Sequence, residues 1–510
     1  MYGAGSSGRQ MVIAFRGSTE FEPVGFVDDS KLLHKRKIDE LLISPPEDIG
    51  RLIEALRVDL ILLAMPSVSR KRKREILRFL EPFPVEVKSL PSLEVLVSKD
   101  NIDISHVQDI QIDDLLGRDP VLPQFDLIHS RIKNRNVMVT GAGGSIGSEL
   151  CRQIASFKPK RLVLFERSEY ALFTIEQELR DTFGKEIEIV PILGSVCRKR
   201  RVTMVIKAMQ IHSIYHAAAY KHVPLVEFNP IEGVLNNIYG TFKTAEAAAE
   251  CGVKTFVLIS TDKAVRPTNV MGATKRMAEL VLQALATRQT TTCFTMVRFG
   301  NVLGSSGSVV PHFNEQIRKG GPVTVTHPEV VRYFMTIPEA VQLVLQAGTM
   351  GRGGDVFVLD MGEPVRIVDL AKRMIRLTGL SVRDLENPQG DVAIEFTGLR
   401  PGEKLYEELL VSENVIGTDH PMIMRAEESF IPWEELSPIL LGLENSCRNF
   451  DYNGVREILL STVDGYKPQC DIVDPIWLSL DKDRTELKAG LRTETKAGLR
   501  TEVKTGLRVI

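Results

Sequence analysis

The sequence predicts an α/β protein built on a doubly wound parallel β-sheet, with a smaller substrate lobe and a second, small α/β domain at the N-terminus. Three observations support this prediction. Apolar runs of strand length alternate with helical patterns between residues 136 and 297. A glycine-rich loop follows the first of these strands, and another glycine-rich loop stands at the start of the chain.

The composition narrows the class of protein. The chain has 510 residues, 43% hydrophobic and 25% charged, which is typical of a globular protein with two or three domains. The formal charge of −2 gives no overall electrostatic reason to expect nucleic acid as a partner. No apolar run approaches the ~18–20 residues of a membrane-spanning helix, no signal peptide is visible, and the six scattered cysteines form no CxxC pair. We therefore expect a soluble, cytoplasmic protein without a metal site or a membrane-spanning segment.

Residues 1–115 are predicted to form the small N-terminal domain. It begins with a GxGxxG loop at residues 3–8, and Asp28 follows about 20 residues later, where dinucleotide-binding domains place a ribose-binding acid. A strand normally precedes such a loop, but here only two residues do, so we expect the first strand to be missing and the domain to have low stability. Strands are predicted at residues 24–27, 60–65 and 85–90, with a basic helix at residues 70–80. A nucleotide-binding regulatory domain and a domain retained only for packing both fit this pattern.

The remaining chain divides into three parts. The turn-rich residues 116–130 are predicted to be a linker, and residues 131–480 are predicted to form the catalytic domain, with its substrate lobe mainly after Gly304. Strands of this domain are predicted at residues 136–140, 162–165, 189–193, 213–216, 256–259 and 293–297. Residues 481–510 contain three eight-residue repeats, which fit neither a heptad nor a β alternation, so we expect a solvated, disordered tail.

The glycine-rich loop of the catalytic domain is a candidate cofactor site of the Rossmann type. Gly141, Gly144 and Gly147 form a GxxGxxG pattern directly after a strand, and Ser145 and Ile146 open the next helix. Glycines let the backbone approach a pyrophosphate, and the N-terminus of a helix stabilises its charge. The loop therefore predicts a bound dinucleotide.

The next strand indicates which dinucleotide to expect. Glu166 ends that strand about 19 residues beyond the loop, and a carboxylate at this place favours the ribose diol of NAD. Arg167 beside it could instead accept the 2′-phosphate of NADP. NAD is favoured, and NADP stays open.

A second group of candidate residues follows the strand predicted at residues 256–259. The stretch from Ser260 to Arg276 reads STDKAVRPTNVMGATKR. Together with the GxxGxxG spacing it resembles the extended short-chain dehydrogenase/reductase superfamily, in which a Ser or Thr ends this strand and a Tyr-x-x-x-Lys pair follows on a helix. Lys275 lies one helical turn after Met271, on the same face. Met271 stands where the superfamily has Tyr, and its thioether cannot take a proton.

The whole stretch is similar to the signature of the bacterial UDP-N-acetylglucosamine 4,6-dehydratases of polysaccharide and capsule synthesis, the CapD-type family. The long branch of this family also has Met in place of Tyr. The resemblance covers roughly residues 2–430, with further matching segments at residues 216–224, 237–241, 298–302, 332–336 and 399–404. The long branch normally begins with transmembrane helices, so we expect that a membrane anchor has been lost here together with the first strand.

The resemblance implies a lyase reaction with an internal redox cycle. The cofactor takes a hydride from C4 of the sugar, water leaves across C5 and C6, and the hydride returns to C6. By resemblance, Thr261 contacts O4, Asp262 is the acid for the departing hydroxyl, and Lys263 is the base at C5. Lys275 would hold the nicotinamide ribose. Lys263 needs a lowered pKa to act as a base, which we expect from burial or from Lys275. Since Met271 cannot deprotonate O4, Asp262 or a water chain is left for that step.

The resemblance also adds residues to the cofactor and substrate sites. Ala217 and Ala218 lie in a matching segment beside the cofactor, and Ser195 replaces an Asp that usually binds the adenine amino group, which puts cofactor affinity in doubt. An anionic diphosphate calls for Arg and Lys side chains and polar donors. The candidates for binding a UDP-sugar are Lys221, Asn301, Thr324, Thr326, Arg332, Arg400 and Glu403. Of these, the two arginines suit the diphosphate, and the two threonines suit the uridine.

The predicted function is the conversion of UDP-N-acetylglucosamine to a 4-keto-6-deoxy sugar for surface polysaccharide. Two alternatives stay open. A nucleotide-sugar 4-epimerase relies on the Tyr base that Met271 replaces and does not need the Asp262–Lys263 pair. A non-catalytic nucleotide-sugar-binding protein would explain Ser195 and the altered N-terminal domain. A homo-oligomer is expected from the superfamily.

Overall fold

The structure is a computed structural model. It describes residues 1–16, 18–91, 106–110, 112–116, 124–289, 291–305, 308–408 and 415–480. Residues 117–123 of the predicted linker and the whole of the predicted repeat tail, residues 481–510, lie outside the described residues. None of the helices within these ranges is both long and apolar enough to cross a membrane.

A nine-stranded sheet forms the centre of the larger domain. Seven neighbouring strands are parallel. At one edge, Ile423–Ala426 pairs antiparallel with Asp355–Leu359, and Val415–Gly417 pairs antiparallel with Ile423–Ala426. From that edge to the other, the strands are Val415–Gly417, Ile423–Ala426, Asp355–Leu359, Cys293–Arg298, Thr255–Ile259, Ser213–His216, Asn136–Thr140, Arg161–Glu166 and Glu188–Leu193. The six strands predicted from the sequence are all present, within a residue of their predicted bounds. The predicted doubly wound parallel sheet is confirmed.

Helices cover both faces of this sheet. Successive side chains of a strand point to opposite faces, so Met138 packs into one hydrophobic cluster while Val137 and Val139 pack into the other. The helices of this domain are Phe125–Ile132, Ser145–Ser156, Glu169–Phe183, Lys199–Met209, Val223–Glu227, Pro230–Val234, Gly240–Glu250, Val270–Arg288, Ile337–Met350, Trp433–Arg448 and Tyr452–Thr462, with a π-helical turn at Leu235–Tyr239. Burial on both faces explains why these strands read as continuous apolar runs in the sequence.

The substrate lobe contains short strands and two helices. Its largest sheet has the parallel strands Val323–Val325, Val392–Phe396 and Val382–Arg383. Two-stranded sheets pair Asn301–Val302 with Phe334–Met335 and Val331–Arg332 with Val365–Arg366, and the helices are Val309–Arg318 and Ile367–Leu377. The chain beyond residue 304 is not all lobe, because the helix Ile337–Met350 and the strand Asp355–Leu359 return to the larger domain.

The N-terminal domain has strands Phe26–Val27, Lys37–Ile38, Leu41–Ser44, Leu60–Leu63, Glu86–Ser89 and Gln108–Asp109, and helices Ser6–Phe15, Ile49–Leu56, Arg70–Leu80 and Ile112–Leu116. The expectation that its first strand is missing needs a correction. Tyr2 pairs in parallel with both Leu63 and Val27, so one residue occupies the position of that strand. The Tyr2 amide donates to Leu62 O at 2.9 Å, and its carbonyl accepts from Ala64 N at 2.8 Å.

The N-terminal domain and the substrate lobe share one hydrophobic cluster. Leu77 and Val87 of the domain belong to the same cluster as Ile375 and Leu377 of the lobe. Glu81 adds ion pairs to Arg373 and Arg376 at 3.3 and 3.1 Å. The low stability expected for residues 1–115 stays a prediction, but the shared core ties the folding of this domain to that of the lobe.

Candidate active site

A cavity of about 1190 Å³ joins the glycine loop of the larger domain to the substrate lobe. It lies at the carboxyl ends of the parallel strands, which is where doubly wound sheets bind their ligands. The predicted site residues in its wall are Gly144, Ser145, Ile146, Gly147, Ala217, Lys221, Thr261, Lys263, Met271, Lys275, Asn301, Thr324, Thr326, Arg332, Arg400 and Glu403. The other predicted site residues, which are not part of this wall, are Gly141, Glu166, Arg167, Ser195, Ala218 and Asp262. The structure therefore brings residues that are far apart in the sequence to one cavity.

The glycine loop has the tight geometry that a dinucleotide requires. Gly141 has a φ of +67°, which side chains disfavour. A Cβ added to Gly147 would lie 1.9 Å from Gly141 O, so only glycine fits there without a shift of the backbone. A Cβ on Gly141 would meet Ala218 N at 2.8 Å, which places Ala218 behind the loop. The helix Ser145–Ser156 starts directly after the turn, with its N-terminus toward the cavity.

Glu166 is held beside this loop by backbone amides. Its Oε2 accepts from Gly143 N at 3.1 Å, and its Oε1 accepts from Arg167 N at 2.8 Å and Ser168 N at 3.0 Å. The Arg167 guanidinium donates to the Tyr220 hydroxyl and lies 5.4 Å from the centre of the Tyr220 ring. The contact with Tyr220 occupies the cation that could have accepted a 2′-phosphate. Ser195 Oγ accepts from Cys197 N at 3.3 Å.

Three predicted catalytic residues follow the strand Thr255–Ile259. Thr261 Oγ1 donates to Asp262 Oδ1 at 2.8 Å, and Lys263 Nζ lies 3.2 Å from the same oxygen. A 3₁₀ turn at Asp262–Ala264 brings the three side chains together, with Thr261 as its N-cap. The second carboxylate oxygen of Asp262 is buried without a hydrogen-bond partner in the part of the chain that the structure describes.

The charges of this cluster differ from the expectation in one respect. Burial raises the pKa of Asp262, although Lys263 opposes the rise, so this carboxylate accepts a proton more readily than an exposed one. Burial alone would lower the pKa of Lys263, but the attraction of Asp262 and Glu407 outweighs it, so the pKa is raised. The expectation of a lowered pKa for Lys263 is therefore wrong, because the sequence did not reveal the second carboxylate.

Lys275 has a lowered pKa instead. It lies in the helix Val270–Arg288, 5% exposed, and its Nζ donates to Ile259 O at 2.6 Å. Burial lowers its pKa to about 8. Met271 lies one turn earlier on the same helix and lines the same cavity, as the spacing predicts. The side chain that replaces the Tyr of the superfamily is therefore in the position of that Tyr but has no ionisable group.

Glu407 is the main site residue that the sequence did not predict. Its Oε1 lies 2.8 Å from Lys263 Nζ and 3.2 Å from Arg332 Nε, and its Oε2 accepts from Asn301 Nδ2 at 2.8 Å. It follows a matching segment by only a few residues, and a run of acids beside a candidate Arg and Lys would have been a usable signal. Arg332 was predicted to bind the diphosphate of the substrate, but in the structure it pairs with the carboxylates of Glu403 and Glu407.

The remaining substrate candidates fall into two groups. Arg332 Nη2 donates to Glu403 Oε1 at 2.9 Å, and Thr326 Oγ1 donates to the same oxygen at 3.1 Å, so these three side chains bind one another. Lys221 and Arg400 have no such side-chain partner among the described residues. Burial lowers the pKa of Lys221. Two of the predicted cations thus face the cavity with their charges uncompensated, and a polyanionic ligand would be attracted there.

Comparison with known proteins agrees with this geometry. A sequence profile described as "Polysaccharide biosynthesis protein" matches residues 137–428. The chain belongs to this family. The capsular polysaccharide biosynthesis protein CapD of Staphylococcus aureus is 49% identical over 412 residues, which are 80% of this chain and 67% of CapD. The probable polysaccharide biosynthesis protein EpsC of Bacillus subtilis is 45% identical, over 87% of this chain and 76% of EpsC. The resemblance found in the sequence is confirmed.

One solved structure and two nucleotide-sugar enzymes extend the comparison. The crystal structure of Pen from Bacillus thuringiensis is 34% identical, with a TM-score of 0.53, and the match covers 61% of this chain and 98% of Pen. A UDP-N-acetylglucosamine 4,6-dehydratase (inverting) of Campylobacter jejuni is 28% identical over 69% of this chain and 97% of that enzyme. A UDP-glucose 4-epimerase of Rickettsia rickettsii is 30% identical over 56% of this chain and 80% of that enzyme. The family is therefore related to nucleotide-sugar dehydratases and to epimerases.

Proposed function

We propose that this protein is an NAD-dependent 4,6-dehydratase that converts UDP-N-acetylglucosamine to a UDP-4-keto-6-deoxy sugar. The observation that carries the proposal is the cluster of Thr261, Asp262 and Lys263 on a cavity that also reaches the glycine loop. An acid and a base side by side are what an elimination needs, and a 4-epimerization does not need them. The Campylobacter relative named as a dehydratase supports the same choice.

The residues around the glycine loop suit NAD. The loop leaves room only for glycine at position 147, and Glu166 stands where a ribose diol would bind. Arg167 is held on Tyr220, which favours NAD over NADP. NAD, when bound, supplies the redox chemistry, accepting electrons from C4 and returning them at C6. Lys275 would hold its nicotinamide ribose at the end of the strand Thr255–Ile259.

The three clustered side chains then account for every proton. O4–H donates to Thr261 Oγ1, and Thr261 passes its own proton to Asp262 Oδ1, which lies 2.8 Å away. The 4-ketone acidifies C5–H, and the neutral form of Lys263 takes that proton at Nζ. The electron pair of the broken C5–H bond then forms the C5–C6 double bond. The C6–O bond breaks, and the hydroxyl leaves as water with the proton of Asp262. Lys263 returns its proton to C5, so the site ends in its starting state.

This proton path gives a reason why Met271 is tolerated. A Tyr base would take the O4 proton and store it, but here Thr261 and Asp262 store it instead. The stored proton is the one that the departing hydroxyl needs next. Lys221 and Arg400 in the cavity wall would bind the diphosphate, and Thr324 in the same wall would contact the uridine.

The experiment is incubation of the protein with UDP-N-acetylglucosamine and NAD in deuterated water, followed by NMR. A dehydratase gives a 4-keto-6-deoxy product with deuterium at C5, an epimerase gives the galacto isomer, and a binding protein leaves the sugar unchanged. Asp262→Asn should abolish the dehydration, since the amide cannot protonate the departing hydroxyl. The matched control is Asp360→Asn on the exposed turn after the strand Asp355–Leu359, which should behave as the unmodified protein. Unchanged sugar with the unmodified protein would overturn the proposal.

A further inference from the structure

Glu407 is a buried carboxylate inside the proposed elimination site. Its side chain is 3% exposed, Lys263 and Arg332 form ion pairs with it, and Asn301 donates to it. It comes from the substrate lobe side of the chain, more than a hundred residues from Lys263. A carboxylate is costly to bury unless it is paired and hydrogen-bonded, as Glu407 is. The ionised form of Glu407 is therefore stabilised by its three partners, and removing one of them would leave a buried charge without compensation.

The charges around Glu407 and Lys263 form a closed set. Asp262 and Glu407 are the acids that contact Lys263, and Arg332 pairs with Glu407. Glu403 pairs with Arg332 from the other side and also accepts from Thr326 Oγ1 and from the Arg400 amide. Lys404 also faces the cluster, and its Nζ donates to Val265 O at 3.1 Å. Arg332 thus serves mainly to fix the two glutamates.

We propose that Glu407 is the positioning residue of the elimination site, which aims Lys263 at C5 and stabilises the ammonium formed when Lys263 takes the C5 proton. The proposal rests on the proposed function. A base that is oriented by a third, acidic group recurs in catalytic sites, because positive charge develops on the base in the transition state. Asp262 cannot fill this role throughout, since it has to be neutral when the hydroxyl leaves. Glu407 remains charged at that moment and is not part of the cavity wall.

The pH dependence of the reaction is the most direct test. Lys263 acts in its neutral form, so kcat/KM rises with pH through the pKa of Lys263, which Asp262 and Glu407 raise against the effect of burial. Glu407→Gln keeps an acceptor for Lys263 but removes the charge. The rising limb should therefore move to lower pH, while the plateau falls roughly tenfold to hundredfold as the ammonium loses its counter-ion. KM should change by less than about twofold, because Glu407 does not touch the substrate.

Two further variants make the result specific. Glu408→Gln removes the same charge from the next residue, which pairs at the surface with Arg266 at 2.5 Å, and should leave rate and pH profile unchanged. Glu407→Asp keeps the charge with a shorter reach, so its rate should fall while its rising limb stays near that of the unmodified protein. This variant also serves if Glu407→Gln fails to fold.

The outcomes separate this inference from the proposed function. If the unmodified protein gives no 4-keto-6-deoxy sugar, the proposed function has failed, whatever the variants do. If it gives that product but Glu407→Gln has the same rising limb and plateau, Glu407 does not act through Lys263. An equal shift of the limb in Glu407→Asp would also overturn the inference, because it would show that the charge is not the cause.

Discussion

The clearest stability prediction concerns Glu279, a carboxylate at the centre of a buried ion-pair network. Glu279 is fully buried in the helix Val270–Arg288, and Arg298 donates to it through two bonds of 2.8 and 2.6 Å. Arg276 and Ser260 add bonds of 3.1 and 2.6 Å. Because Ser260 precedes Thr261, the network connects the core of the larger domain to the proposed site. Glu279→Gln would leave two arginines short of a counter-charge.

Two independent arguments give a similar magnitude for this loss. Removing one partner of a buried ion pair costs about 3–5 kcal/mol, because the other charge stays buried. Burial alone would raise the pKa of Glu279, but Arg298 and Arg276 lower it from 4.5 to about 2. That difference corresponds to about 3 kcal/mol of stability. Since the folded-state pKa is the lower one, this stability is present above pH 4.5 and is lost as the pH falls toward 2.

The assay is urea unfolding followed by tryptophan fluorescence. The two tryptophans of the chain, Trp433 and Trp477, both pack on the hydrophobic cluster that contains this helix, so their signal reports on the larger domain. Glu178→Gln is the matched control, because its ion pair with Arg152 is about 40% exposed and should contribute less than about 1 kcal/mol. Glu279→Gln should unfold at clearly lower urea than the control. Equal midpoints for the two variants would refute the reasoning.

Three further predictions concern the site. Gly147→Ala should weaken NAD binding at least about tenfold in a calorimetric titration, because the new Cβ would lie 1.9 Å from Gly141 O. The control Gly417→Ala has open space around it and should bind NAD as the unmodified protein does. Equal affinities for the two variants would contradict the loop geometry. Met271→Leu should keep turnover within about tenfold of the unmodified protein, since this volume-conserving substitution removes no group that carries a proton. A loss as large as that of Asp262→Asn would contradict the proton path. NAD binding should weaken as the pH rises through about 8, where Lys275 loses its charge, and Lys275→Arg should remove that pH dependence even if it lowers the affinity. A pH dependence that stays in the variant would assign it to another group.

The sequence predicted most of the sheet, and most of the predicted site residues lie in the cavity wall. Strands such as Asn136–Thr140 are buried on both faces, so their apolar runs are unmistakable. Thr261, Lys263 and Lys275 lie within one short segment whose spacing brings them to a single strand end and the following helix. In both cases the information is local in the chain, and local patterns are what a single sequence expresses.

The features that the sequence did not predict depend on distant contacts. Glu407 reaches Lys263 from a separate part of the chain, and this contact reverses the expected direction of the Lys263 pKa. Tyr2 could not be recognised as a strand, because a single residue has no periodicity and only its β-bridges to Leu63 and Val27 define it. Charge coupling and edge pairing of this kind are properties of the folded chain.

The packing of the N-terminal domain bears on its two possible roles. The helix Val309–Arg318 contacts both the cavity and the N-terminal domain. His312 and Glu315 line the cavity, and Phe313 and Ile317 belong to the hydrophobic cluster shared with the N-terminal domain. Asp28, the candidate ribose-binding acid, accepts from Ala4 N at 2.7 Å, as Glu166 accepts from Gly143 N, so the loop geometry is common to both domains. A wall that is supported from behind by a second domain keeps its shape only while that domain is folded. We therefore expect unfolding of residues 1–115 to disturb the cavity wall, whether or not their loop binds a nucleotide.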